Sequence, residues 1–311
     1  MKVRLLAGLG LAALLVQEVL AQDLGPHFTK IRDGIYVQTA RSTPPGTSNV
    51  GIILTSEGPV LVDTGQTPVD TREVAEAVKK LSPQPVRFVI NTETHTDHAY
   101  GNFVFSPPAV VINHDGAGKE MQETLDPKRV GELEAQSPAM RAAVQGFRLV
   151  PPHLEYAGEK VTLRVGERTL VLLNLGTTHS LANTAVWLPN ERVLFAASVA
   201  VEGQFNTIRP HTNIPDMLAV MKTMRALNAE VVIPGHGVPT TNKLFDDYSR
   251  YLETLLQRVG ALMAKGRTLD QIKQEVRLPE YENLALAKER MPNNVEAAYR
   301  AIQSGYRPAS Y

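Results

Sequence analysis

Short runs of apolar residues, each bounded by turn-forming residues, recur along most of the chain. Runs of this length are typical of buried strands, because a helix usually needs about 10 residues or more. The runs over residues 35–37, 50–54 and 59–62 predict three strands, and those over 86–90 and 110–112 predict two more. The N-terminal half is therefore expected to be built around a sheet.

A helix is predicted between the third and fourth of these strands. Thr67 is a good N-cap, and Asp70 suits the positive end of the helix dipole. Val74, Val78 and Leu81 follow at spacings of three and four, so they share one apolar face. Alternation of strands and helices in this way predicts an α/β protein.

The rest of the chain adds an insertion, a second group of strands and a helical end. Residues 114–145 are charged and helix-like, and we expect them to form an inserted helical segment. Further strands are predicted over 161–165, 169–175, 184–188, 193–196 and 231–233, with a helix over 214–227. Residues 241–311 are predicted to be helical: an apolar face starts at Leu244, Thr268 begins a capping box, and a last helix runs near 294–304. No linker divides residues 22–311, which we interpret as a single domain.

The first 21 residues have the pattern of a secretory signal peptide. Lys2 and Arg4 precede an apolar run over residues 5–16, and Ala21 offers a small residue at the cleavage position. The run is shorter than the ~20 residues needed to span a bilayer. We therefore expect a periplasmic or secreted protein, with an uncleaved amphipathic helix as the alternative.

The composition of the chain limits which side chains can carry catalysis or bind a metal. The chain of 311 residues carries 32 basic and 32 acidic side chains, so its zero net charge gives no support for nucleic-acid binding. No segment predicts a membrane span. Cysteine is absent, which excludes disulfides, thiol nucleophiles and Cys-ligated metals. Any metal must therefore be bound by His, Asp and Glu.

Residues 93–98 concentrate such ligands directly after a predicted buried strand. Four of the six side chains can bind a metal: Glu93, His95, Asp97 and His98. Because alternate residues of an extended loop point the same way, we expect Glu93, His95 and Asp97 to converge. His98 would then face a neighbouring point, so that one loop could serve two metals.

Two more histidines lie beyond the ends of predicted strands, as residues 93–98 do. His179 and His236 each follow a predicted strand, and sites of α/β proteins gather on the loops at strand ends. Together with residues 93–98 they predict a metal site.

Four ordered motifs resemble those of the metallo-β-lactamase superfamily. The chain carries Asp63-Thr64-Gly65, Glu93-x-His95-x-Asp97-His98, a Gly176 turn that leads to His179, and Pro234-Gly235-His236-Gly237. The resemblance covers residues from about 35 to 240. It implies an αββα sandwich with a dinuclear site at the edge where the two sheets meet.

The resemblance also implies a role for each of these side chains. One divalent ion would be held by Glu93, His95 and His179, and a second by Asp97, His98 and His236. Asp97 would also orient the attacking water, and Asp63 would hold a ligand histidine through its outer N–H.

Two positions depart from the usual pattern of the superfamily. Glu93 stands where a His is most common, and Ser198 stands where many hydrolases have a bridging Asp. Zinc is expected at both sites, but the harder carboxylate donor of Glu93 admits Mn or Fe at the first. His211, in the loop after Ser198, is a candidate for substrate contact.

The resemblance implies a dinuclear hydrolase that attacks a carbonyl of a small-molecule substrate with a metal-bound hydroxide. The export signal and Ser198 favour a β-lactamase. A lactonase or thioesterase-like hydrolase is the first alternative, and a non-catalytic member that only binds a ligand is the second. The pattern does not indicate an oligomeric state.

Export gives the first testable prediction. Expressed in a Gram-negative host, the exported protein is expected to begin at Gln22, because Ala21 ends the signal-like segment. Intact-mass measurement of the periplasmic fraction checks this. Retention of Met1 in exported protein would contradict it.

Overall fold

Two sheets face each other, with helices on both outer sides. The computed structural model describes residues 23–39, 48–65, 67–124 and 127–306, so the signal-like segment over 1–21 lies outside the described residues. The predicted αββα sandwich is confirmed. Among the described residues, no helix combines the length and apolar character needed to cross a bilayer.

The first sheet has its seven strands in chain order. They are β1 (Phe28–Arg32), β2 (Ile35–Gln38), β3 (Val50–Ile53), β4 (Val60–Val62), β5 (Phe88–Ile90), β6 (Val110–His114) and β7 (Leu154–Tyr156). Strands β1 to β4 pair antiparallel, and β4 to β7 pair parallel.

The second sheet has the spatial order β12-β11-β10-β9-β8. Its strands are β8 (Lys160–Val165), β9 (Arg168–Asn174), β10 (Thr184–Leu188), β11 (Val193–Phe195) and β12 (Val231–Ile233). Only β11 and β12 pair parallel among these described strands, so β9, β11 and β12 all run in the same direction.

The helices cover the outer faces of both sheets. They are α1 (Pro68–Leu81), α2 (Thr96–Ala99), α3 (Asn102–Phe105), α4 (Ala117–Thr124), α5 (Pro127–Gln136), α6 (Pro138–Val144), α7 (Ile214–Ala226), α8 (Lys243–Ala264), α9 (Leu269–Glu275) and α10 (Ala287–Gln303). A short 3-10 turn spans Ala197–Val199.

Alternation along the strands creates three apolar layers. Val60 and Val62 face the core between the sheets, whereas Leu61 packs under α1. In the second sheet Val186 faces the same central core, and its neighbour Trp187 packs under the C-terminal helices. Strands covered on both faces are apolar at most positions, so the sequence shows them as nearly continuous apolar runs.

Most elements predicted from the pattern are confirmed. The hydroxyl of Thr67 accepts a hydrogen bond from the Asp70 N–H at 3.1 Å, and Thr268 forms the predicted capping box at α9. The inserted helical segment is present as α4, α5 and α6.

Three differences have physical causes. Strands β1 and β7 were not predicted, because they are edge strands with largely exposed residues and weak alternation. The last helix begins at Ala287, ahead of the predicted start near residue 294. Its first turns are charged and include Pro292, so they lack an apolar periodicity that would indicate a helix.

Backbone hydrogen bonds join the two sheets at one edge. The Thr184 N–H at the start of β10 donates to Thr92 O at 2.7 Å, and Asn49 N–H before β3 donates to Gly235 O at 2.8 Å. The loops that follow β4, β5, β9, β11 and β12 leave the sheets at this edge, because these strands run parallel within each sheet.

The buried side chain of Asn294 fixes the C-terminal helices to the rest of the fold. Its Nδ2 donates to Asn206 O and to the Tyr251 hydroxyl, both at 2.7 Å, and its Oδ1 accepts from Ile208 N–H at 2.8 Å. Asn206 in turn donates to Ser198 O at 2.9 Å. The helices therefore support the segment that carries Ser198.

Replacement of Asn294 by Ala should destabilise the protein. It leaves three buried polar groups without their partner, at a cost of roughly 2–4 kcal/mol in the free energy of unfolding. Asn293→Ala, at the exposed neighbouring position of the same helix, is the matched control. Chemical denaturation of both variants measures the effect, and equal stabilities would contradict this role for Asn294.

Candidate metal centre

Two groups of three side chains lie at the edge where the sheets are joined. Within each group, the nearest ligand atoms all lie within 4.8 Å of one another. The groups are Glu93, His95 and His179, and Asp97, His98 and His236. Each combines ligands from the loop after β5 with one histidine from the second sheet.

In the first group, Glu93 lies between two rings. Its Oε2 contacts Nδ1 of His95 and lies 3.5 Å from Nε2 of His179. The Glu93 side chain is fully buried, and its Oε1 makes no well-aligned hydrogen bond with a described residue, although Nε2 of His98 lies 3.1 Å away. A buried carboxylate with an oxygen available in this way is suited to bind a cation.

In the second group, Asp97 Oδ2 lies 3.2 Å from Nε2 of His236 and 3.4 Å from Nε2 of His98. The groups meet at His98, whose Nε2 is also 3.1 Å from Glu93 Oε1. The two groups therefore form one continuous cluster.

The expected convergence of Asp97 with Glu93 and His95 is wrong. The backbone is bent over residues 92–95, and helix α2 begins at Thr96, so side chains do not alternate along this segment. The helical turn rotates Asp97 towards His98 and His236, into the group that the resemblance implied.

Asp63 fixes the ring of His98. Its Oδ2 accepts a hydrogen bond from His98 Nδ1 at 2.8 Å, which leaves Nε2 facing the cluster. The N–H and the hydroxyl of Thr92 each donate to Asp63 at 2.7 Å. Asp63 has φ of 64°, a left-handed conformation that costs a non-glycine residue about 1–3 kcal/mol and is retained where surrounding contacts require it.

Ser198 lies inside the cluster. Its hydroxyl oxygen is 3.2 Å from Nε2 of His98, and the residue is fully buried. Gly235 packs directly on it, since a Cβ at that position would collide with Ser198 Oγ and with the Ala197 backbone. The glycine of the Pro-Gly-His turn is therefore required for close packing beside the ligand His236.

The loop that carries His179 is held from three sides. The Leu181 N–H donates to both carboxylate oxygens of Glu120, at 3.0 and 3.1 Å. Nε2 of His211 donates to His179 O at 3.2 Å, and the hydroxyl of Thr212 donates to Thr178 O. His211 is exposed beside the cluster, a position compatible with substrate contact.

Two positioning residues were not identified from the sequence. Nδ2 of Asn49 donates to the carbonyls of Pro234 and Gly237, at 2.8 and 2.9 Å, and thereby holds both ends of the turn around His236. Ser48 donates to Asp97 O. These polar residues precede a strand without any motif, so the sequence carries no signal for them.

The charges of the cluster are strongly coupled. Burial alone would raise the pKa of Glu93, but three imidazoles, His98 above all, hold that pKa well below its usual range. Burial also disfavours the charge on Asp97, yet His98 and His236 lower its pKa to about 2. Both carboxylates are therefore ionised at neutral pH.

The surroundings shift the pKa values of His98 and His179 in opposite directions. Burial opposes a charge on His98, but nearby carboxylates, led by Glu93, raise its pKa to about 10. Burial lowers the pKa of His179 to about 3, which leaves this ring neutral and able to offer a lone pair.

These donors fit two divalent cations. Two ionised carboxylates and four imidazoles supply mixed O and N ligands, the set that zinc and related metals prefer. Asp63 also provides the outer hydrogen bond that metal-bound histidines usually make.

Comparison with known proteins gives one family. The model of the metallo-beta-lactamase superfamily matches residues 43–236, more than half of the chain. The 2,4-dinitroanisole O-demethylase subunit alpha of Nocardioides sp. (strain JS1661) is 25% identical over 67% of this chain and 58% of its own length. The linear primary-alkylsulfatase of Pseudomonas sp. (strain ATCC 19151) is 26% identical over 72% of this chain. The chain spans about half the length of these two relatives.

Solved structures show the same fold. A metallo-beta-lactamase from Pontibacter korlensis has a TM-score of 0.59 at 22% identity, over 72% of this chain and 96% of its own. The inverting sec-alkylsulfatase Pisa1 from Pseudomonas sp. has a TM-score of 0.68 at 19% identity, over 90% of this chain and 50% of its own.

Metal preference at Glu93 can be tested directly. Because imidazole is a softer donor than a carboxylate, Glu93→His should raise the preference for zinc over manganese at the first group, by about 10-fold or more. Competition between the two metals, followed by metal analysis, measures this preference. Glu123→His, at an exposed position on α4, is the control. An unchanged preference in Glu93→His would show that Glu93 is not a ligand.

Proposed function

Because this chain belongs to the metallo-beta-lactamase superfamily, we propose that it is a metal-dependent hydrolase of a small molecule. The observation that carries the proposal is the pair of adjacent ligand groups, with His98 between the carboxylates of Glu93 and Asp97. Two divalent ions, when bound there, would supply Lewis acidity that acidifies a water and polarises the bond to be cleaved.

The residues around the cluster have separate tasks in this proposal. Asp97 is an ionised carboxylate, so it can orient the attacking water, accept its proton and return that proton to the leaving group. Asp63 keeps Nε2 of His98 directed into the cluster. Ser198 supplies a neutral hydroxyl to the cluster, and the carboxylate of Glu93 is the side chain that reaches from the first group to His98 of the second.

The surroundings favour a substrate with an apolar body. Leu181 and Val238 are 50% and 56% exposed, and each comes two residues after a ligand histidine. Exposed aliphatic side chains at the mouth of a polar site can bind the non-reacting part of a substrate. A hydrolysable carbonyl, first of all that of a β-lactam, is our leading candidate, with lactones and thioesters as the alternative.

A sulfate ester is the second candidate. An alkylsulfatase is among the relatives, and the fold of another alkylsulfatase covers 90% of this chain. We also propose that the protein acts in the periplasm or outside the cell, on the basis of the signal-like pattern in residues 1–21.

A substrate panel tests the proposal. Zinc-loaded and manganese-loaded protein should hydrolyse at least one of nitrocefin, a γ-lactone, an acyl thioester and an alkyl sulfate, and a chelator should abolish that turnover. The substrate that is turned over decides between the candidates. Turnover of none of them, by protein that carries two metals, would favour the non-catalytic alternative.

Removal of the Asp97 carboxylate should stop catalysis. Asp97→Asn keeps the shape of the side chain but loses its negative charge, so kcat/KM should fall by about 100-fold or more on the accepted substrate. Asp115→Asn, an exposed aspartate beyond β6 at the same edge, is the control. Steady-state kinetics measure the effect, and a rate near that of the unmodified protein would reject the role of Asp97.

A further inference from the structure

A cavity of about 310 Å³ lies outside the metal centre. It is open to solvent on one side and is lined by the segment over residues 201–206, by α8 and by the turn before α10. It shares no residue with the two ligand groups. Helices α8 and α10 also lie beyond residues 43–236, the part of the chain that matches the family model.

Aromatic rings form one side of this cavity. Tyr251 is at its centre, with ring centroids 4.9 Å from Phe205, 5.6 Å from Tyr248 and 5.1 Å from Tyr281. Phe205 and Tyr281 both meet Tyr251 edge to face. Phe205, Tyr248 and Tyr251 are buried, so the half-buried ring of Tyr281 offers the most surface to a ligand.

The hydroxyl of Tyr248 is a polar group without a partner in this wall. Tyr248 is only 7% exposed, and its hydroxyl has no hydrogen-bond partner among the described residues. The side chain of Asn206 lies near enough to this hydroxyl to act on the pKa of Tyr248, but its amide N–H donates to Ser198 O at 2.9 Å and its Oδ1 accepts from Thr207 N–H at 2.9 Å. Buried hydroxyls are nearly always hydrogen-bonded, so this group can bond a polar atom that enters the cavity, whether of water or of a ligand.

The charged residues that line the cavity are all acidic. Glu202, Asp247 and Glu280 line it, whereas no Lys or Arg does so in the described part of the chain. Asp247 is paired with Lys243, and Glu280 with Arg258. Their charges are therefore balanced at the surface.

The carboxylate of Glu202 is not balanced in this way. It accepts a hydrogen bond from Val238 N–H at 3.3 Å, and it makes no ion pair with a described residue. Arg290 donates to the Phe205 carbonyl but does not line the cavity. The cavity thus combines an aromatic wall with one carboxylate that is not held in an ion pair, and Arg290, which also donates to Gln204, is the nearby positive charge.

We propose that this cavity binds a small organic cation, an amine or quaternary ammonium group attached to an apolar body. The ring of Tyr281, which packs on Tyr251, would stabilise the cation through its π face, and Glu202 would be its counter-charge. The hydroxyl of Tyr248 would bond a polar atom of the same ligand. This proposal does not depend on the hydrolase activity, because the two sites have no residue in common.

Calorimetric titration of the full chain tests the proposal. The probes are choline and benzyltrimethylammonium, and 3,3-dimethylbutan-1-ol serves as the uncharged isostere of choline. At least one cation should bind with one site per chain, at least 10-fold more tightly than the isostere. Binding of neither cation at millimolar concentration, or equal binding of choline and its isostere, would overturn the proposal.

Variants then locate the bound cation. Tyr281→Leu removes a half-buried ring and Glu202→Gln removes the charge, and each should weaken cation binding by at least 10-fold. Tyr281→Phe keeps the ring and should bind normally. Glu282→Gln, at an exposed position outside the cavity, is the charge control. Thermal melting verifies that all four variants are folded, and affinities unchanged by Tyr281→Leu and Glu202→Gln would contradict this location.

Discussion

Buried negative charge is the constraint on which the rest of the structure depends. Glu93 and Asp63 are almost completely buried, and His98 contacts both of them as well as Asp97. Isolated charges in such surroundings cost several kcal/mol each, so they persist only where opposite charges or cations are held against them. The histidines that do so come from loops of both sheets. Two hydrogen bonds join the sheets at this edge, from Thr184 to Thr92 and from Asn49 to Gly235. These bonds therefore keep the histidines of the two sheets aligned with the carboxylates.

Features decided by neighbouring residues could be predicted from the sequence. The caps at Thr67 and Thr268 are local, and so is the concentration of ligands over residues 93–98. The direction of Asp97 could not be derived from alternation. The helical turn at Thr96 is stabilised by contacts with distant residues: the N–H and hydroxyl of Thr64 both donate to His98 O.

Other features depend on residues far apart in the chain. Asn294 bonds to groups 43 or more positions away, and the aromatic cavity combines the segment 201–206 with helices that follow it much later. No short sequence pattern predicts such contacts. The C-terminal helices were predicted as helices, but their support of Ser198 through Asn206 emerges only from the packing.

The mixed origin of each ligand group has a thermodynamic consequence. Each group takes donors from the segment after β5 and a histidine from the opposite sheet. A cation bound there would therefore link the two sheets across the central core. Only the folded chain brings these donors together, and metal binding is therefore linked to folding. At a free metal concentration 1,000-fold above Kd, one such ion adds about 4 kcal/mol to the free energy of unfolding. Metal supply would then govern how long the protein survives proteolysis.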